Sequence, residues 1–88
     1  MNADIRVRVT VRFFAAARAA AGAESETVDL PAGATVDDLV ATLRARGATL
    51  ASVLARCSYL CDGVAVRDLN VELDDAQTID VLPPFAGG

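Results

Sequence analysis

The sequence predicts an α+β fold in which one main helix packs on one face of a mixed β-sheet. Residues 5–13 alternate apolar and polar side chains, as in a strand with one buried face. Residues 36–43 carry apolar side chains at the spacing of an amphipathic helix, and residues 78–82 read as a last strand. Because helical segments separate the strands, we expect a crossover that makes the first strand parallel to a later one. This arrangement is a β-grasp, and it leaves the other sheet face open.

The first half of the chain supplies the first strand and a strong helix start. Phe14 breaks the alternation, because it is apolar but falls on the side of the strand that carries arginines. Residues 15–21 are rich in alanine and stop at Gly22, which predicts a turn or short helical segment. Residues 25–30 predict a second strand. Thr35 is expected to cap the main helix, and Gly47 is expected to end it.

The second half of the chain predicts a short helix, a hairpin and the last strand. Residues 49–57 have a weaker helical spacing, and Asp62-Gly63 between apolar runs is a hairpin signal. The last strand ends against two prolines, which cannot continue a ladder of backbone hydrogen bonds. We therefore predict a domain over residues 1–82 and a flexible tail over residues 83–88.

Composition limits the function. The 88 residues make one domain, and the net charge of -4 argues against nucleic acid and for a basic protein surface as the partner. The sequence has no histidine and no lysine, and its two cysteines do not complete a zinc site, so no metal or bound cofactor is expected. No segment has the length of a membrane span or the pattern of a signal peptide, so we expect a cytoplasmic protein without membrane contacts.

Cys57 and Cys61 are spaced C-x3-C, which differs from the C-x-x-C redox motif. We interpret them as reduced, half-buried thiols. A role in handling persulfide sulfur is the alternative, and the sequence assigns neither cysteine to a site.

The tail is the unusual feature of the sequence. It runs Pro83, Pro84, Phe85, Ala86, Gly87, Gly88. The prolines favour an extended, stiff base, and the two glycines have no side chains, so they fit a narrow channel. We predict that this tail presents the carboxylate of Gly88 to another enzyme.

The residues at both ends of the chain resemble one protein family. Val11-Arg12-Phe13-Phe14-Ala15 with Arg18 and Gly22, followed by the terminal Pro-Pro-Phe-Ala-Gly-Gly, is similar to the small subunit of molybdopterin synthase. The wider group contains ubiquitin-like sulfur carriers, including that of the thiamin thiazole. The two ends carry the resemblance, whereas the middle matches in pattern only, and the cysteine pair has no counterpart.

The resemblance implies a mechanism. An E1-like enzyme uses ATP to adenylate the Gly88 carboxylate, and a sulfur donor then converts it to a thiocarboxylate. Two such carriers insert their tails into a dimeric large subunit, forming a heterotetramer, and deliver the two sulfurs of the molybdopterin dithiolene. The chain would thus not be catalytic alone. Alternatives are a carrier for thiamin thiazole or cysteine synthesis, a ubiquitin-like protein modifier, and a plain interaction domain with an inert tail.

Strand parity predicts a docking surface. Phe14 and Leu82 are both out of phase with the buried rows of their strands. If the first and last strands are neighbours, both side chains lie on the open sheet face, near the tail, where exposed apolar side chains suggest a partner. The resemblance places both residues in the contact surface as well. A bulge that turns them inward is the alternative.

Overall fold

The structure is a computed structural model that describes residues 5–84. Its elements, in chain order, are β1 (Arg6–Phe13), α1 (Ala15–Ala21), β2 (Ser25–Pro31), α2 (Val36–Arg44), α3 (Ala48–Leu54), β3 (Ser58–Cys61), β4 (Val64–Ala65) and β5 (Thr78–Leu82). The predicted order of strands and helices is confirmed, and residues 15–21 are a true helix.

The five strands form one mixed sheet in the order β2-β1-β5-β3-β4. The central pair, β1 and β5, is parallel, and the other neighbours are antiparallel. The predicted parallel pairing of the first strand with a later one is therefore confirmed. The helices between these two strands make the crossover that a parallel pair requires.

One face of the sheet and the inner sides of the helices form the core. The fully buried side chains are mainly branched aliphatic residues and one aromatic ring: Phe13, Leu39, Leu43, Ile79, Val9, Val11, Val36 and Val81. The apolar side of β1 does not extend to its start, because Ile5 precedes the strand and is 72% exposed. Its predicted place in the buried row is wrong.

Helix α2 begins with a capping box. The Thr35 side chain accepts from the Asp38 backbone N–H at 3.1 Å, and the Asp38 carboxylate accepts from the Thr35 N–H at 2.9 Å. These two bonds satisfy backbone donors that a helix start leaves unpaired. The predicted cap at the other end is wrong, because Ala45 follows the last turn with a right-handed backbone and Gly47 instead precedes α3.

The turn between β3 and β4 is confirmed. Asp62 and Gly63 have φ angles of 48° and 84°, the pair of positive values that a type I′ hairpin turn needs. The Asp62 carboxylate also accepts from the Thr78 backbone N–H at 2.9 Å, and the Asp62 N–H donates to the Thr78 carbonyl. The turn is thereby fixed to the start of β5.

Within residues 5–84, no helix is both long and apolar enough to cross a membrane.

Leu39→Ala should lower the free energy of unfolding by about 2–5 kcal/mol, because it removes a fully buried side chain and leaves a cavity. Leu69→Ala makes the same chemical change at a side chain that is 40% exposed, so its cost should stay below about 1 kcal/mol. Urea unfolding of both variants measures the difference. Equal losses would mean that Leu39 does not lie in the core.

Candidate functional site

The open face of the sheet holds Phe14 and Leu82, the two residues that the alternation of their strands predicts to lie there. In the parallel β1–β5 pair, Phe13 is in register with Val81, and both are buried on the core side. Phe14 and Leu82 follow them on the opposite face and are half-buried. The Phe14 N–H donates to the Val81 carbonyl at 3.2 Å, which extends the pairing by one residue. The expected neighbourhood of the two side chains is therefore present.

The backbone after Phe14 explains why this side chain stays on the open face. Phe14 has an extended backbone, with φ of -120° and ψ of 150°, so it continues the alternation of β1. Ala15 then has a left-handed φ of 50°, which turns the chain sharply into α1. For a residue with a Cβ this conformation costs about 1–2 kcal/mol. This conformational cost falls at the junction between β1 and α1, next to Phe14.

An ion pair lies next to these apolar residues. Arg12 donates from Nε to Asp80 Oδ1 at 2.7 Å and from Nη2 to Asp80 Oδ2 at 3.2 Å, a two-pronged contact. The Arg12 guanidinium also lies over the Phe14 ring, 5.3 Å from its centroid. Such stacking is attractive. Asp80 is only 8% exposed although it lies on the open face, because β5 is a central strand.

Sequence reasoning missed the Arg12–Asp80 pair. Alternation along the strands places both residues on polar sides, but it does not tell which residues of neighbouring strands stand opposite each other. The pairing follows from the register of β1 on β5, in which Arg12 is the partner of Asp80. Two polar residues of opposite charge on adjacent strands were the available signal.

A shallow cavity of about 270 Å³ continues the open face toward α1. It is lined by Arg12, Phe14, Arg18 and Glu24, together with neighbouring backbone and small side chains. Arg18 and Glu24 form an exposed ion pair at 3.3 Å. Both arginines that flank the Phe14 ring therefore have a carboxylate partner within the chain.

The base of the tail is part of the folded domain. Pro83 is buried, whereas Pro84 is exposed. The two prolines line a groove of about 290 Å³ with Ala16 of α1, Val53 of α3 and Arg56, which follows α3. Pro83 therefore lies against the folded domain, and the boundary after residue 82 stays a prediction. Phe85, Ala86, Gly87 and Gly88 lie outside the described residues, and their roles and flexibility stay predictions.

Both cysteines are free and half-buried, as predicted. Burial raises the pKa of Cys57 and of Cys61, and the nearby carboxylates of Asp62 and Asp74 raise that of Cys61 further. The Cys57 thiol donates to the Val53 carbonyl at 3.2 Å. Cys57 precedes β3 and Cys61 ends it, and the two thiols are not joined. Neither environment favours a reactive thiolate.

Around Arg8, an exposed ion pair with Asp29 raises the arginine pKa and lowers that of the carboxyl, mainly through their hydrogen bond. The described part of the chain contains no group of three Cys, Asp or Glu side chains placed to hold an ion.

A parallel central strand pair, a crossover through α2 and an open face beside a proline-anchored C-terminal segment define a ubiquitin-like β-grasp protein. The chain belongs to the ThiS family, which it matches over residues 11–88. This confirms the family resemblance of the sequence.

Similar proteins come from several organisms. The chain is 32% identical over 83 residues to a molybdopterin synthase sulfur carrier subunit from Chlamydomonas reinhardtii, covering 93% of this chain and all of that one. It superposes on a putative molybdopterin converting factor, subunit 1, from Pyrococcus furiosus with a TM-score of 0.81, 30% identity and coverage of 89% and 98% of the two chains.

Two other solved structures are informative through their stated assemblies or roles. One is a complex of subunits 1 and 2 of a molybdopterin-converting factor from Helicobacter pylori, matched with a TM-score of 0.66, 28% identity and coverage of 93% and 100%. The other is small archaeal modifier protein 1 from Methanosarcina acetivorans, with a TM-score of 0.79, 25% identity and coverage of 96% and 99%.

The single tyrosine of the chain gives a test of the packing between α3 and β3. Tyr59 is buried and donates its hydroxyl to the Leu54 carbonyl at 3.1 Å, and burial raises its pKa to about 12. Because folding favours the neutral phenol, this contribution to stability is complete below pH 10 and is lost as the pH rises toward 12. Absorbance titration of the folded protein should therefore give a midpoint near 12.

The Tyr59→Phe variant is the control. It keeps the ring but lacks the ionising group, so its stability should decrease less between pH 10 and pH 12. A tyrosine midpoint near 10 while the protein is still folded would contradict the buried position.

Proposed function

We propose that this chain is a sulfur carrier whose C-terminal Gly88 is adenylated and converted to a thiocarboxylate, which donates sulfur to the molybdopterin dithiolene. The observation that carries the proposal is the ThiS-family match, which extends through the Gly87-Gly88 end. The full-length similarity to the algal sulfur carrier subunit and the fold likeness to the Pyrococcus protein support the same function.

The chemistry explains why a carrier needs activation. A free carboxylate is a poor electrophile, so a partner E1-like enzyme uses ATP to form the acyl-adenylate of Gly88 and releases pyrophosphate. A sulfur donor then displaces AMP and leaves a thiocarboxylate. This group is a soft nucleophile at neutral pH. All catalytic groups for these steps belong to the partners, and the chain contributes its terminal carboxylate and the surfaces that present it.

The geometry of the described residues suits such a role. Pro83 is packed between α1 and α3, so the tail starts from a fixed point at the end of the central strand β5. Proline restricts the backbone at both tail-base positions. A fixed origin reduces the conformational entropy lost on binding, and the two glycines at the tip are narrow enough to enter a partner's channel.

The partner in the final step would be the large subunit of molybdopterin synthase, in a heterotetramer. The Helicobacter structure contains a subunit 1 bound to a subunit 2, which supports a stable pairing of this kind. We place the contact on the open face, where Phe14 and Leu82 lie half-buried beside the start of the tail. Apolar side chains in this position are typical of an interface centre.

A second candidate function is that of a protein modifier joined to lysine side chains of targets. The likeness to the Methanosarcina modifier protein favours it, because that protein has the same fold at 25% identity. Both functions would start with activation of Gly88, and they differ in what the activated carboxylate meets. A carrier for thiamin thiazole or cysteine synthesis shares all the tail chemistry.

Capture of the chain from its native cells, followed by intact-mass analysis, separates these functions. A molybdopterin carrier should retain the large subunit and show the mass gain of one oxygen replaced by sulfur. A modifier should give higher-mass adducts with Gly-Gly remnants on lysines. Thiocarboxylate without the large subunit would indicate another sulfur pathway, and an unmodified chain would contradict both candidates.

Deletion of Gly88 should abolish activation and leave the fold intact, because the residue lies beyond the packed Pro83. ATP–pyrophosphate exchange with the E1-like enzyme of the same organism measures activation, and the thermal midpoint checks the fold. Undiminished exchange by the shortened chain would contradict the role of the terminal carboxylate.

The Cys57→Ser, Cys61→Ser double variant should still become thiocarboxylated, since burial raises the pKa of both thiols and keeps them protonated at neutral pH. The substitutions should cost about 1 kcal/mol of stability per site. Loss of sulfur loading with an unchanged thermal midpoint would instead assign the thiols a function.

Phe14→Ala and Leu82→Ala should weaken binding to the large subunit by about 2 kcal/mol or more. Neither should cost the roughly 3–5 kcal/mol of stability expected from a buried aromatic truncation, because both side chains are only half-buried. Calorimetric affinity and urea unfolding in one buffer measure the two effects. Val64→Ala, at a side chain 69% exposed on the edge strand β4, is the control.

Unfolding of the Phe14→Ala protein would place the residue in the core. If both stability and affinity survived, the open face would not be the interface.

A further inference from the structure

The Arg12–Asp80 pair differs from the other ion pairs of residues 5–84. The Asp80 side chain is 11% exposed, whereas the carboxylate partners in the other pairs are 24–73% exposed. Burying a carboxylate is costly unless its oxygens are hydrogen-bonded, and here both oxygens accept from the same guanidinium. The pair thus fixes the position of Arg12 on the open face.

The contact with Asp80 involves only some of the N–H donors of the Arg12 guanidinium. A guanidinium has five N–H donors in a rigid plane, and the bonds to Asp80 start from Nε and Nη2. The arginine side chain is 52% exposed. Within residues 5–84, its other donors make no further hydrogen bond, and the guanidinium lies over the Phe14 ring. A partner that covers Phe14 therefore also covers these donors, and leaving them without acceptors would be unfavourable.

The charge around Phe14 is already balanced within the chain. Arg12 is paired with Asp80, and Arg18, on the other side of the cavity, is paired with Glu24. On β3, Leu60 is in register with Asp80 and is half-buried on the same face. This end of the open face therefore presents apolar side chains, oriented N–H donors and charges that are already paired. Such a surface is best matched by uncharged hydrogen-bond acceptors of the partner.

We propose that the partner protein covers Phe14, Leu60 and Leu82 with apolar side chains and places backbone carbonyl oxygens against the outward N–H groups of Arg12. Asp80 is the positioning residue, because it holds the guanidinium in the plane that those carbonyls meet. This inference rests on the proposed function, in which the open face binds the large subunit. It adds a residue that determines the specificity of that interface, because the oriented Arg12 guanidinium donates to uncharged oxygen acceptors of the partner.

The first test replaces the whole pair. In the Arg12→Leu, Asp80→Leu variant no buried charge is left unpaired, so the fold should be retained. Its affinity for the large subunit encoded in the same genome should fall about tenfold or more, because the partner's carbonyls lose their donors. The matched control is Arg8→Leu, Asp29→Leu, which removes an exposed Arg–Asp pair on the same face, away from Phe14. The control should bind within about twofold of the parent chain.

The second test uses Arg12→Lys, which keeps the charge opposite Asp80 but loses the planar set of donors. Its affinity should also fall several-fold, while its unfolding midpoint confirms that the domain is folded. Parent-like affinity of this variant, or of the folded double leucine variant, would overturn the proposal.

Ionic strength distinguishes carbonyl from carboxylate acceptors. With neutral carbonyls, the affinity of the parent chain should change less than about twofold between roughly 0.05 and 0.5 M salt. A steep decrease with salt would mean that the partner offers carboxylates, and the proposal would be wrong on that point.

Failure of this inference is separable from failure of the proposed function. If Phe14→Ala weakens binding and the Arg12 variants do not, the open face is the interface but Arg12 does not contribute to it. If neither change matters, the open face is not the docking surface, and sulfur loading of Gly88 remains a separate measurement.

Discussion

The parallel pairing of β1 with β5 is the constraint on which the rest of the structure depends. It places Phe13 beside Val81 in the core and, one residue later, Phe14 beside Leu82 on the open face. The same register puts Arg12 opposite Asp80. Because β5 is central and ends at Leu82, directly before Pro83, the tail starts from the central part of the sheet. A one-residue slip would exchange the two faces and dismantle the site.

The two faces of this sheet differ in the side chains that they carry. The core face and the helices bury the aliphatic residues that hold the domain together. The open face combines half-buried apolar side chains with ion pairs whose partners are within the chain. Under the proposed docking, such a surface satisfies its own charges, so we expect the binding energy to come from apolar area and the selectivity from oriented hydrogen bonds. The basic partner surface that the acidic composition predicts stays a prediction.

Much of the fold was predictable because the local signals agree with it. The alternation of β1, the capping box at Thr35 and the Asp62-Gly63 turn each depend on neighbours in sequence. The errors arose where tertiary packing decides. Gly47 precedes α3 because the chain after α2 stays right-handed, and Ile5 is exposed because it precedes β1. The Arg12–Asp80 contact needed the strand register, which one sequence does not provide.

The central claim is that the chain delivers sulfur from its own C-terminus, and a single-turnover reconstitution tests it most directly. The thiocarboxylated chain would be mixed with the large subunit and the cyclic pyranopterin phosphate precursor, without ATP, and followed by intact mass. The account predicts that the dithiolene forms while the chain returns to the mass of its plain carboxylate. A thiocarboxylated chain that binds the large subunit but keeps its sulfur, with the precursor unchanged, would contradict it.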